Sequence, residues 1–94
     1  MSETASTGKV AVLMYTTSWC PYCEQARDLL RSKGVAFVEL DIEAEPQRRA
    51  EMLERSGGQH KVPQIFIGSH HVGGADELQA LDSTGGLEAL LAGN

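Results

Sequence analysis

Cys20 and Cys23 are the only cysteines of the chain, and Pro21 and Tyr22 separate them. A pair so spaced can close a static disulfide, supply half of a zinc site, or exchange electrons with a substrate disulfide. A bridge across so short a loop restricts the unfolded chain little and adds little stability. Zinc needs two more ligands, and the candidates are His60, His70 and His71. Adjacent histidines on a strand point to opposite faces, and only the distant His60 remains to pair with either. Redox exchange is therefore the reading that the residues favour, with no metal expected.

Exchange begins with an exposed thiolate. A strand ending near Tyr15 and a helix opening at Pro21 would set Cys20 at the helix N-terminus, where free N–H groups and the helix dipole favour an anion. Pro21 is well tolerated at the first helical position, because its missing N–H has no helical partner there. Cys23 lies about one turn further on, so its sulfur is on the same side and more buried. The pair then offers an attacking sulfur at Cys20 and a sheltered resolving sulfur at Cys23.

The elements that must hold this pair follow from the hydrophobic pattern. Val10–Tyr15 is a nearly continuous apolar run, as a strand buried on both faces would be. Cys23, Ala26, Leu29 and Leu30 follow helical spacing, and Gly34 ends that helix in a left-handed cap. Val35–Ile42 reads as a second strand, parallel to the first. Pro46 opens a helix to about Ser56 with Ala50 and Leu53 inward, and Gly57-Gly58 stops it. Arg48, Arg49 and Arg55 read as its solvated face. Gln64–Ile67 and His70–Val72 form a hairpin around Gly68-Ser69. Gly73-Gly74 opens a helix carrying Leu78 and Leu81, and a short last helix presents Leu87, Leu90 and Leu91. Phe37 and Phe66 read as core. The order is βαβαββα with a C-terminal helix, an α/β fold.

Composition bounds the partners. The 94 residues suit one domain, residues 9–94, preceded by a polar, flexible lead-in, Met1–Gly8. Hydrophobic residues at 41 % and charged residues at 22 % describe an ordinary globular protein. A net charge of −5 without a Lys/Arg cluster argues against nucleic acid. There is no signal-peptide pattern and no apolar run near the ~18 residues of a bilayer span, so the cytoplasm and no membrane are expected.

The segments YTTSWCPYC, KVPQIFIG and VGGADEL, in this order and spacing, resemble a dithiol glutaredoxin of the thioredoxin-like fold, closest to the short bacterial members. The resemblance runs from Val10 to Ala92. It implies a four-stranded mixed sheet flanked by helices, and glutathione as co-substrate with no bound cofactor. By itself Val62-Pro63 reads as the simple start of a strand, because most X–Pro bonds are trans; the resemblance reverses this and makes Pro63 a cis proline, with the Val62 backbone pairing with the cysteine of glutathione. The close backbone approach allowed by Gly73 and Gly74 would let the N–H groups of Ala75 and Asp76 receive the γ-glutamyl carboxylate. The Asp76 carboxylate would pair with the adjacent ammonium, or else only cap its helix. Tyr22 would form an aromatic wall.

Two departures from the family pattern stand out. Thr17 occupies the position of a frequent lysine, and Gln59-His60-Lys61 replaces an Arg-Thr-Thr run. Lys61, with Gln59, would supply the charge for the glycyl carboxylate, unless Lys61 is simply a solvated lysine. Trp19 either packs against its loop or contacts substrate. The resemblance implies a monomer that reduces protein–glutathione mixed disulfides and protein disulfides, with glutathione reductase acting indirectly. Two alternatives share these motifs. One is a glutathione-ligated [2Fe–2S] cluster carrier, which Pro21 disfavours by stiffening the loop; the other is a thioredoxin-type reductase recharged by a flavoenzyme.

Overall fold

The computed structural model describes residues 10–93, so the lead-in Met1–Gly8 lies outside the described residues. The elements are β1 (Val12–Thr16), α1 (Pro21–Ser32), β2 (Val38–Asp41), α2 (Gln47–Ser56), β3 (Gln64–Ile67), β4 (His70–Gly73), α3 (Ala75–Ser83) and α4 (Gly86–Leu91). They form one four-stranded mixed sheet in the order β2-β1-β3-β4. β1 runs parallel to β2 and antiparallel to β3, and β3 forms the hairpin with β4. No helix among the described residues is long and apolar enough to cross a membrane.

The continuous apolar run of β1 is explained by its central place. Met14 and Tyr15 point to opposite faces of the sheet, and both are fully buried. Val12 and Met14, with Ile65 and Ile67 of β3, pack under Ala26 and Leu30 of α1, Leu78 of α3 and Leu87 of α4. On the other face Tyr15, Ile42 and Phe66 pack with Met52 of α2. Ion pairs brace the outside. Arg27 of α1 holds Glu39 of β2 through two 2.8 Å hydrogen bonds. Lys33, just past α1, bridges Asp82 of α3 at 2.7 Å and Glu88 of α4 at 3.0 Å.

Three expectations need correction. The second strand begins at Val38, not Val35, and Val38 is exposed because β2 is a sheet edge; Val35 and Phe37 instead pack against the core from the preceding loop. Ala50 faces solvent and Met52 is buried, with Leu53 half-buried. Only Ala50, Met52 and Leu53 are apolar in α2, so the helical period alone leaves its rotation open, and docking of Met52 on the sheet decides it. Arg55 is not merely solvated: its guanidinium lies 5.1 Å from the Phe66 ring centroid and Nη1 donates to the Tyr15 hydroxyl at 3.2 Å. That hydroxyl itself donates to Glu51. Arg48 does stay on the outer face, paired with Glu45 and Glu51.

Candidate active site

The chain leaves β1 through Thr17–Trp19 and enters α1 at Pro21, which puts Cys20 at the N-cap in extended geometry, φ −157° and ψ 106°. Its Sγ accepts a hydrogen bond from the Cys23 N–H at 3.2 Å, so the sulfur takes the role that a side-chain oxygen fills in most N-caps. Cys23 has no exposed surface, whereas Cys20 is half-buried, and both are free thiols. Burial first, then the hydrogen bond with Cys20, push the Cys23 thiol up to about 12, so it holds its proton at neutral pH.

The segment after α2 comes back against this cap. The Val62–Pro63 peptide bond is cis, and the Val62 carbonyl oxygen lies 3.9 Å from the Cys20 Sγ. From there a groove of about 240 Å³ runs to the start of α3. Tyr22, Lys61, Val62 and Pro63 form one part of its wall, and Gly74, Ala75, Asp76 and Glu77 the other. Seven residues named from the sequence thus meet in one concavity. Gln59 does not line it; it lies in a neighbouring recess of about 180 Å³ that shares Lys61, Gly74 and Glu77 with the groove.

Glu77 escaped the sequence reading. Gly74 is the N-cap of α3, and its N–H donates to the Glu77 Oε1 at 2.8 Å. The signal is an acidic residue three positions after the cap. Gly73, at φ +114°, and Gly74 make room for the returning carboxylate: a Cβ on either would come within 3.2 Å of the Glu77 side chain. Since Glu77 caps the helix, the exposed Asp76 carboxylate is left for another use. The N–H groups of Ala75 and Asp76, in the first turn, have no acceptor within the helix.

The Gly74 N–H, with Lys61 contributing, holds the Glu77 carboxyl below the usual range. A depressed value adds stability above the unfolded pKa of about 4.3, which is lost as pH falls through the folded value. Glu77→Ala should therefore lower the unfolding free energy at pH 7 by about 0.3–1 kcal/mol. The gap from the unsubstituted protein should close below about pH 4, as read from urea unfolding across pH. A gap of constant size would show that the charge is not responsible.

Cys20 itself lines a second recess, of about 180 Å³, with Thr17, Trp19 and Pro21 and with Ser18, Glu24 and Arg27; it touches the groove only through its approach to Val62. The Thr17 hydroxyl donates to the Trp19 carbonyl at 3.4 Å. Trp19 is 84 % exposed, which removes the reading that it packs against its loop. Among the described residues, no group of three or more His, Cys, Asp or Glu side chains is gathered as a metal ion would require.

Known proteins resemble this chain in sequence and fold. Residues 12–72 match the family model described as Glutaredoxin. "Glutaredoxin 3" of Escherichia coli K12 is 54 % identical over 80 residues, which is 85 % of this chain and 95 % of the relative. The solution structure of a glutaredoxin from Brucella melitensis superposes with a TM-score of 0.79 at 52 % identity, covering 92 % of both chains. A buckwheat glutaredoxin, solved as a glutathione complex, also superposes with a TM-score of 0.79, at 26 % identity over 87 % of this chain and 76 % of its own. A dithiol at a helix N-cap, a cis-proline segment across from it and a match along most of the chain agree: the protein belongs to the glutaredoxin family of thiol–disulfide oxidoreductases, with the thioredoxin-like fold.

Proposed function

We propose that the protein is a glutathione-dependent reductase of protein–glutathione mixed disulfides and protein disulfides, with Cys20 as nucleophile. One observation carries the reading: the Cys20 sulfur lies 3.9 Å from the carbonyl of Val62, and Val62 lines the groove of about 240 Å³ that reaches the start of α3. Glutathione would lie in that groove as an added strand on the Val62 backbone, next to Pro63. Its γ-glutamyl carboxylate would meet the Ala75 and Asp76 N–H groups, and its ammonium the Asp76 carboxylate. Lys61 would hold the glycyl carboxylate, with Gln59 behind it and Tyr22 over the peptide. The glutathione complex of the buckwheat relative supports this ligand.

The Cys20 thiolate attacks the glutathione sulfur of the mixed disulfide. A Cys20–glutathione disulfide forms and the protein leaves as thiolate, which takes up a proton. The thiolate of a second glutathione attacks that disulfide at the glutathione sulfur, releasing oxidised glutathione and regenerating the Cys20 thiolate. With a protein disulfide, Cys20 forms a mixed disulfide with one of its sulfurs, and Cys23 attacks the Cys20 sulfur. The second protein thiol is then released and the Cys20–Cys23 disulfide remains. Cys23 must give up its proton as it attacks. Burial, the larger cause of its raised pKa, persists, whereas a disulfide-bonded Cys20 would no longer offer a thiolate as hydrogen-bond partner, the second cause. Glutaredoxin couples near −200 to −230 mV lie close to the glutathione pool, so two glutathiones can reduce Cys20–Cys23 again. Glutathione reductase would return the electrons, and the residues 9–94 would act as one unit.

The test is steady-state turnover of a small mixed disulfide with glutathione and with 2-mercaptoethanol, which has no carboxylates. Glutathione should saturate and the simple thiol should not. Lys61→Ala should raise the KM for glutathione by about 3- to 10-fold, as loss of one exposed charge contact would. Equal turnover with both thiols would refute the reading.

A further inference from the structure

Gln64 is a polar amide that is only 1 % exposed, at the start of β3 beside the groove. A buried amide needs partners at both ends, and Gln64 has them. Its Nε2 donates to the Lys61 carbonyl at 3.0 Å, and its Oε1 is 2.6 Å from the His71 Nε2. A carbonyl can only accept, so the Lys61 end must face the amide nitrogen. The amide oxygen then faces His71, whose Nε2 carries the shared hydrogen.

His71 is held in turn. β3 and β4 pair Phe66 with His71, and the register shift between Ile65 and Phe66 sets Ile65 opposite Gly73. The rings of Phe66 and His71 stack at 4.7 Å with 21° between their planes, and Arg55 of α2 lies against Phe66. Gln64 and Phe66 are two apart on β3 and so share a face of the sheet. A continuous chain thus runs from α2 through Phe66, His71 and Gln64 to the carbonyl of Lys61. Neither Gln64 nor His71 lines the groove; both line the recess next to it.

We propose that Gln64 and His71 are positioning residues, whose hydrogen-bond chain fixes the Lys61 carbonyl and so presets the Lys61–Pro63 segment for glutathione. This rests on the glutathione reading above. An added strand binds best to a backbone already held in its bound direction, because less ordering is then left to the ligand. Cys20 is fixed as the N-cap of α1, with Sγ 3.2 Å from the Cys23 N–H, and meets this segment only at the longer 3.9 Å approach to the Val62 carbonyl, so the chain should govern binding of glutathione more than attack by the thiolate.

Three single variants and one double variant test it. Gln64→Met keeps the length and removes both hydrogen bonds. His71→Phe keeps the stack on Phe66 and removes the donor. His71→Gln returns an N–H close to where Nε2 stood. The first two should raise the KM for glutathione by about 3- to 10-fold, with kcat within about twofold. The double variant Gln64→Met/His71→Phe should be no worse than Gln64→Met alone, because one chain is broken once. His71→Gln should bring KM back towards that of the unsubstituted protein. An unchanged KM in His71→Phe, additive losses in the double variant, or a fall in kcat at constant KM would each overturn the proposal. Should Gln64→Met fail to fold, the two His71 variants decide the matter. Saturation of the unsubstituted protein by glutathione is measured alongside. Without it the glutathione reading and this inference fall together; with it, an unchanged KM sinks the inference alone.

Discussion

Cys20→Ser should lower glutathione-dependent reduction of a small mixed disulfide by more than about a thousandfold, because a serine hydroxyl is a far weaker nucleophile than a thiolate at neutral pH. The geometry leaves no substitute. Cys23 has no exposed surface and its thiol is pushed up to about 12, so it can neither meet an external disulfide nor ionise readily. Cys23→Ser should accordingly keep much of the activity on small mixed disulfides, which needs one sulfur, and lose activity on protein disulfides, which needs two. Alkylation at pH 7 gives an independent readout: limiting iodoacetamide should label Cys20 and spare Cys23, as peptide mapping would show. Equal loss of small-disulfide turnover in both variants would refute the assigned roles.

Leu30→Ala should be the most damaging of the simple truncations on α1. Leu30 has no exposed surface and packs among Met14, Ile65, Leu78 and Leu87, where α1, α3 and α4 meet the sheet. Removing its side chain should cost about 2–5 kcal/mol, from lost burial and the cavity left behind. Against a total stability of about 5–15 kcal/mol, that brings a domain of this size near its unfolding threshold. Urea unfolding would show a lower midpoint at unchanged slope. A loss below about 1 kcal/mol would mean that α1 collapses onto the gap. In that event α1 would move relative to Val62, and turnover would fall although both cysteines remain.

Much of the site was legible because its chemistry is local. Two cysteines one helical turn apart, after an apolar strand and with proline at the first helical position, prescribe a sulfur at an N-cap whatever the rest of the chain does. The resemblance added Val62, Pro63, Gly74, Ala75 and Asp76, and these do gather with Tyr22 and Lys61 in one groove. Gln59 was assigned to the same cluster and lies one recess away, because a loop position cannot be oriented from its neighbours alone. Glu77 could have been found from its spacing to Gly74 but was hidden by the more conspicuous Asp76.

From the sequence by itself follow the cysteine pair at the start of a helix, the order of strands and helices, and the family. Each depends on residues a few positions apart, where propensity, period and capping act. Only the tertiary structure decides that Met52 and not Ala50 faces the core, that Trp19 stands in solvent, that Arg55 rests on Phe66, and that Gln64 joins His71 to Lys61. The Cys20 sulfur and the Val62 carbonyl are 42 positions apart in the chain, yet they face each other. Strand register and helix docking set such contacts, and both are properties of packed surfaces that a local stretch of sequence does not carry.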